Sequence, residues 1–513
     1  SPWTVRPITY FPSSSRERLP NFPSPLGPSS LPAFSSSQTR STTHYDVAVI
    51  GAGLSGLSSA LRLAMFGKKV VLIEKHFVVG GLNSFYAKKG IKFDVGLHAL
   101  TNFPSRQSGK SSPLLKLCRQ LRIPLDSLNL LPQSHSRITF GSESLLFDNN
   151  FEFFLSQVEE NFPKERDRFR SLLLKMEAFP AYSVDAEELS TREILKESIG
   201  DPLLSEMLLC PTCYYGSARK NDIDFPTFVM LFDAIFTQGL ARPEQGIRAI
   251  LDPLTKKLEE LGVERRMNCG VEAIRTKGGK VSELVLESGE SLTSDFVIST
   301  CGAVETEALI EPSNSFSPST IEGNFSIMES IFVFQGSPRD FGWEETVVFF
   351  NDSETFCFDQ PDGLIDLRSG VICMPENYGS QAQVPNKKSK LRITHPANFD
   401  HWAGLEQKEY ESEKALWEEK ILGNGIGYLK NGKQELNSFR SKTIFRDTFT
   451  PRTIKKYTGH ANGTLYGSPQ KRRDGSTAYE NLFLAGTDQG YVGIVGAMLG
   501  GIAVANNRIL STN

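Results

Sequence analysis

Gly51, Gly53 and Gly56 stand in the spacing G-x-G-x-x-G, and a carboxylate, Glu74, follows the last of them after about twenty residues. Glycines so spaced hold a phosphate. The first permits a sharp turn, the second lets a pyrophosphate approach the backbone, and the third lets a helix lie tight against a strand. Ala52, between the first two, belongs to the same binding turn. Free N–H groups and the dipole at the start of the helix favour the phosphate charge. A carboxylate at Glu74 accepts hydrogen bonds from ribose hydroxyls and opposes a 2′-phosphate, so the expected ligand is FAD or NAD. The pair Gly80-Gly81 again lets backbone come close to a ligand, for which the same dinucleotide's phosphates are the natural candidate. Near the end of the chain, Gly486-Thr487-Asp488 precedes a glycine-rich apolar stretch, a second anion-binding arrangement. There Asp488 suits a ribityl or ribose hydroxyl rather than a phosphate.

Regular elements must position these groups. Val47, Val49 and Ile50 read as a buried parallel strand. Leu57, Ala60, Leu61 and Ala64 give the inward face of a helix that Gly67 ends, and Val70 to Ile73 is a second strand. An isolated glycine fingerprint is often a plain turn; here strand, helix, strand and terminal acid fall in register. Asn481 to Gly486 reads as a buried strand, and GYVGIVGAMLGGIAVAN as a helix too short and too glycine-rich to span a membrane. Ile91 to Gly96 is a short strand leading into His98, which suits either a polar lining residue or a hydrogen-bonded structural histidine. Residues 105–241 read as mostly helical, with Leu114, Leu117, Cys118 and Leu121 at helix spacing and Phe151 to Phe162 in the same mode. Cys210-Pro-Thr-Cys213 is one C-x-x-C without a second pair, weak for zinc and more in keeping with buried cysteines than with redox work. Phe225, Phe228, Val229, Phe232, Ile235 and Phe236 fall on one face of a helix, either core, the wall of an apolar tunnel or a face resting on a membrane. A helix from Ile247 to Leu261 leads into a strand at Gly270 to Ile274. Lys280 to Leu286 and Ser291-Leu292 read as a small meander, and Phe296 to Thr300 as another buried strand. Ile327 to Phe334 and Thr346 to Phe350 suggest a mainly antiparallel sheet, followed by a charged helix from Gln407 to Leu422.

The predicted fold class is α/β: a Rossmann-type dinucleotide-binding domain with a discontinuous α+β substrate domain of antiparallel sheet and helices. The predicted division is a leader, 1–44; nucleotide-binding parts at 45–104, 242–310 and 450–513; and substrate-domain parts at 105–241 and 311–449. The leader is rich in serine, proline and arginine with Glu17 its one acid, which suits a disordered segment or an organelle transit segment. A net charge of −3 and the lack of a basic stripe argue against a nucleic-acid partner. Seven cysteines in 513 residues favour a reducing compartment over a disulfide framework. No metal-ligating cluster stands out. Phenylalanine, at 35 residues against four tryptophans, fits a well-filled core or a long apolar channel.

The motifs VIGAGLSGLSSALRLAMFGKKVVLIEK, VVGGLNSFY, FDVGLHAL, ARPEQGIRAILDPLTKKLEELGVE, TPRTIKKYTGHANGTLYG and NLFLAGTDQGYVGIVGAMLGGIAVAN resemble the FAD-dependent phytoene desaturase-like family. That family includes carotenoid desaturases, carotenoid isomerases and retinol saturases, within the wider amine-oxidase-like class. The resemblance covers residues 45 to 510, with its specific ends far stronger than its middle. It implies FAD as cofactor, with Gly51, Gly53, Gly56 and Glu74 at the ADP half and Gly80 and Gly81 close to the cofactor. Val271 would lie on the adenine side, and Gly486, Asp488 and Ile494 at the flavin end. It implies an apolar polyene as substrate, peripheral contact with a membrane on its cytoplasmic side (or in a plastid if the leader is a transit segment), and no single transferable catalytic residue. A retinol-saturase-like reductase, an amine oxidase with Tyr466 and Tyr491 as candidate cage residues, and a non-catalytic FAD-binding scaffold remain alternatives. Two features depart from the family. Leu82 stands where many relatives carry an arginine, and Gly423 to Gly427 lacks the strand that a second fingerprint needs, so a quinone or oxygen is the expected electron acceptor. Oligomeric state and exact substrate are left open by the sequence.

Overall fold

The structure is a computed structural model that describes residues 43–104, 112–311, 320–379 and 388–512; the expected leader lies outside them but for its last two residues. Those two, Thr43 and His44, already belong to the first strand, β1 (Thr43–Ile50). Val47, Ala48 and Val49 of β1 are fully buried, as an apolar run without alternation requires. The glycine turn leads into α1 (Leu54–Ala64) and then β2 (Val70–Ile73). A hairpin, β3 (Phe85–Lys88) with β4 (Ile91–Asp94), precedes the segment that carries His98. Next come α2 (Pro113–Leu121), β5 (Leu130–Pro132), β6 (Ser136–Phe140) and β7 (Glu143–Phe147). A helical layer follows: α3 (Phe151–Asn161), α4 (Arg166–Ala178), α5 (Thr191–Ser198), α6 (Pro202–Gly216) and α7 (Phe225–Phe232).

The chain returns through β8 (Ala241–Pro243) and α8 (Arg248–Glu260) to β9 (Glu264–Arg266), β10 (Val271–Lys277), β11 (Lys280–Leu286) and β12 (Ser291–Ser299). After α9 (Ala303–Ala308) and β13 (Ile310–Glu311) it builds β14 (Ser326–Gln335), β15 (Val347–Asn351), β16 (Ser369–Cys373) and β17 (Lys388–Ala397). Helices α10 (Phe399–Ala403), α11 (Gln407–Ile426) and α12 (Gly432–Lys442), strand β18 (Thr443–Phe449) and α13 (Pro451–Thr458) follow. The chain closes with β19 (Leu482–Leu484) and α14 (Gly493–Val504).

Among the described residues, two large sheets organise this chain. The eight-stranded sheet runs β13-β10-β11-β12-β1-β2-β9, with β19 added on β12. Its centre is parallel: Val49 lies opposite both Ile298 and Leu72, and Ile298 opposite Phe483. Sequence-distant strands thus converge on the end of β1 where the glycine turn begins, the place where doubly wound sheets bind ligands. The seven-stranded sheet runs β18-β14-β17-β16-β15-β6-β7 and is antiparallel except where β15 meets β6. Helix α14 lies against α1, with Ser55 Oγ donating to Ala497 O at 2.8 Å and Ser58 Oγ to Met498 O at 2.9 Å.

Three sequence expectations need correction. Residues 105–241 are not simply helical, because β6 and β7 form a hairpin that edges the second sheet. Its two-residue turn starts at Gly141 in the left-handed region, and such turns join alternating strands too short to declare a period. Ser291-Leu292 and Phe296 to Ser299 belong to one strand, with Thr300 just past its end, since β12 is exposed only at its middle, where Asp295 interrupts the apolar run. The Phe-rich segment is core, one of its expected readings, but it does not present a single apolar face. It is α7 continued by a π-helical turn at Asp233–Thr237, and every residue of α7 is buried, so burial on all sides replaces the expected stripe.

Candidate functional site

At the turn after β1, Gly51 adopts φ +97°, and a Cβ there would stand 2.5 Å from Thr300 Oγ1. Thr300 itself donates to the Ile50 carbonyl at 2.9 Å, which locks the turn against the end of β12. A Cβ on Gly56 would collide with the Gly51 carbonyl, so the third glycine is what lets α1 start this close to the strand. Gly53 differs: a Cβ there would meet nothing within 4 Å. Its open face is the cradle that a pyrophosphate needs. Gly80 lies across from it, bridged to Gly53 and donating to the Ala52 carbonyl at 2.8 Å. Glu74 accepts from Ala52 N at 2.6 Å and His76 N at 2.8 Å, and its own carbonyl takes Cys269 N at 2.9 Å. That last bond brings the entry of β10, and with it buried Val271, beside the Glu74 corner. Neither α1 nor α14 carries an acid in its first turn to oppose an anion.

At the other end, Ala485 N donates to Ser299 O at 2.9 Å, and the Gly486 position lies against Ser55 of α1. Asp488 is buried and accepts from Ala303 N at 2.6 Å and Ser468 N at 2.8 Å, with Lys471 Nζ at 3.6 Å. Burial pushes the Lys471 ammonium down, and Asp488 opposes that shift. Ile494 turns its side chain inward, lining a small apolar cavity with Leu100, Leu117 and Met498, so only its backbone at the start of α14 is left for a ligand. The structure thus gathers Gly51, Ala52, Gly53, Gly56, Glu74, Gly80 and Gly81 at one corner. Gly486 and Asp488 lie beyond Ser55. Tyr466 is held by a bond from its hydroxyl to the Tyr214 carbonyl, and Tyr466 and Tyr491 both pack on the apolar cluster of the helical layer. Cys210 and Cys213 are buried inside α6, where burial raises both thiols well above their ordinary range and leaves them unreactive.

Sequence reasoning missed the polar group beneath His98. Glu329 of β14 accepts from His98 Nε2 at 2.6 Å, Arg392 Nε at 2.9 Å and Thr394 Oγ1 at 2.9 Å. Burial raises the Glu329 carboxyl, but Arg392 and His98 outweigh it and hold it at about 2. Its signal was present, a single acid inside the apolar run of β14.

The parallel sheet, the glycine cradle and the acid at its corner fit FAD and define a dinucleotide-binding oxidoreductase. The chain belongs to the flavin containing amine oxidoreductase family, whose model matches residues 54–508, and the enzyme is an FAD-dependent oxidoreductase. It is 23% identical to a chloroplastic prolycopene isomerase of Daucus carota, over 86% of this chain and 76% of that one. It is 22% identical to a 4,4'-diaponeurosporene oxygenase of Staphylococcus aureus, over 86% and 93%. In fold it is similar to an oxidoreductase from Methanosarcina mazei (TM-score 0.61, 17% identity, 90% of this chain and 100% of that one). It is likewise similar to a putrescine oxidase (TM-score 0.59, 15% identity, 92% and 100%). The motif resemblance to carotenoid-modifying flavoenzymes therefore holds.

Proposed function

We propose that the enzyme acts on a long apolar polyene of carotenoid type, desaturating or isomerising it. The observation that supports this reading is an apolar cluster that reaches the start of α14, the end that the reading assigns to the flavin. Phe147, Phe154, Phe228, Phe232 and Phe236 are buried within it, and Tyr215, Tyr491 and Val492 pack against it. Val492 directly precedes α14, and α6 ends on Gly216, where a Cβ would stand 2.8 Å from Leu231 and collide with Val492. The names of the curated relatives support the same substrate class.

FAD, when bound, supplies the hydride-accepting and hydride-donating chemistry. The chain's part is to hold and exclude. In this reading Gly51, Ala52, Gly53, Gly56, Gly80 and Gly81 take the pyrophosphate side, and Glu74 shares its carboxylate between Ala52 N–H and a ribose hydroxyl. Val271 borders the adenine, while Gly486, Asp488 and the backbone of Ile494 border the flavin end. The phenylalanine cluster keeps water from the reacting carbons. Delivery of such a substrate calls for a membrane surface, on the cytoplasmic side or in a plastid. Exposed Leu174 on α4, with Tyr182 and Val184 just beyond, is the candidate contact. Among the described residues no helix is long and apolar enough to cross a membrane.

The test is anaerobic incubation of the holoenzyme with phytoene in liposomes, following the flavin band near about 450 nm and the product chromophore together. Flavin bleaching with new conjugation establishes desaturation. Conversion of a poly-cis polyene after pre-reduction, without net oxidation, establishes isomerisation. Turnover of retinol or of amines alone moves the enzyme to those substrates, and bound flavin with no turnover of any of these leaves a scaffold.

A further inference from the structure

The segment from Gly96 to Thr101 links the two ends of the candidate site. A Cβ on Gly96 would collide with the Leu82 carbonyl, beside Gly80 and Gly81, and one on Gly493 at the start of α14 would stand 3.9 Å from Thr101 Oγ1. His98 lies between those contacts, on a stretch that spans at most about 20 Å when extended. Its Nε2 is bound to Glu329, yet 24% of its side chain is exposed, against 2% for both Glu329 and Arg392. Nδ1 has no hydrogen-bond partner among the described residues.

We propose that His98 takes up the proton of the reaction at Nδ1, with Glu329 as the positioning residue that orients it. The inference rests on the polyene reading. Desaturation removes two hydrogens from adjoining carbons. One leaves as hydride, for which the flavin is the acceptor, and the other as a proton, while its C–H electron pair becomes the new π bond. An apolar cluster offers that proton no acceptor. His98 does.

The groups that face the imidazole decide its state. Glu329 from β14 bonds Nε2, Arg392 from β17 bonds Glu329, and Thr394 from β17 completes the carboxylate's partners. Arg242 from β8 reaches the His98 carbonyl at 3.4 Å and pairs with Asp94 of β4 at 2.5 Å; Cys373 of β16 donates to the same carbonyl at 3.5 Å. The two arginines and two carboxylates balance, so their summed charge does not hold a proton on the imidazole and burial favours its neutral form. Burial and then Arg392 push its protonation down, with Glu329 opposing. An ionised Glu329 accepts only, so Nε2 carries the hydrogen and Nδ1 presents its lone pair. This is how a carboxylate behind a histidine fixes the tautomer of a general base. A purely structural histidine would be redundant here, because Arg392 already ties the segment through the Val95 and Leu97 carbonyls.

The experiment combines 15N-histidine NMR of the holoenzyme with kinetics of His98→Gln, His98→Ala and Glu329→Gln. The expected result is the Nε2–H tautomer for His98 at neutral pH. His98→Gln should lower kcat about 100-fold or more, with flavin content retained and KM little changed, and added imidazole should restore His98→Ala. The acid limb of the wild-type pH–rate profile should follow His98, and Glu329→Gln should move it to lower pH. An Nδ1–H tautomer or an imidazolium at neutral pH overturns the orientation. Turnover by His98→Gln within about threefold of wild type, with the acid limb unchanged, overturns the proton transfer while the polyene reading stands. If the wild type isomerises a poly-cis polyene but does not desaturate phytoene, the proton transfer is overturned while the polyene reading stands; if it turns over neither, both fall together, and the tautomer still decides the orientation.

Discussion

Gly53 and Gly56 lie on the same turn and answer to different constraints. Gly56 has the Gly51 carbonyl where a Cβ would go, whereas Gly53 faces open space at φ −68°. Gly53→Val should therefore fold with a wild-type Tm but lose FAD, read as the flavin-to-protein absorbance ratio. Gly56→Ala should lose both, with an overpacking cost of about 1–3 kcal/mol in denaturant titration. A second residue-scale case is His395. Its Nδ1 lies 2.8 Å from the Ser369 carbonyl, its buried Nε2 has no hydrogen-bond partner among the described residues, and burial holds the imidazole down at about 4. The unfolded chain takes up this proton near the ordinary value of about 6.5. The neutral fold thus has its full contribution above that pH and loses it as pH falls toward 4, by about 3 kcal/mol in all. A His395→Leu variant should show a flatter Tm-against-pH curve between those limits; an unchanged slope would show that another group carries the acid sensitivity.

At the scale of elements, β14 and β17 hold a buried ion pair, Glu329 with Arg392, each side chain 2% exposed, in a sheet where their buried neighbours are apolar or uncharged polar side chains. Arg392→Met leaves the carboxylate buried without its cation and should cost about 3–5 kcal/mol in denaturant titration. The double variant Arg392→Met with Glu329→Leu should recover part of that loss, because no unpaired charge remains. This sheet was only half legible. The apolar alternation of β14 and β15 marked them as strands, but the β6–β7 hairpin was hidden because five-residue strands beside a helix-rich stretch carry too little period. The glycine-turn unit of β1, α1 and β2 was legible in full, since its signals are local and each has a separate physical cause.

For the whole molecule, the apolar side chains exposed on and after α4 are the expected membrane contact. Replacing Leu174 and Val184 with glutamate should reduce co-sedimentation with liposomes several-fold, at about 1.5 kcal/mol or more for each apolar side chain withdrawn from lipid, and leave flavin content unchanged. Equal sedimentation of variant and wild type would place the contact elsewhere. The same scale shows how the phenylalanines, scattered along the sequence, are brought together. Phenylalanines from β7, α3, α7 and the π-helical turn meet in one cluster, with Phe154 and Phe236 stacked at 4.3 Å. Their abundance alone is equally that of an ordinary core.

By itself the sequence determined the cofactor corner, the doubly wound sheet around it and the family resemblance. These rest on glycine spacing and apolar runs that act within a few turns of chain, so they can be read in order. Tertiary structure alone decided that β12 pairs with β1 and β19 with β12, that Thr300 locks Gly51, and that Glu329 and Arg392 stand behind His98. It also turned the side chain of Ile494 into the core. Each of these depends on residues tens to hundreds of positions apart, brought together by sheet register and side-chain packing, which no local pattern records.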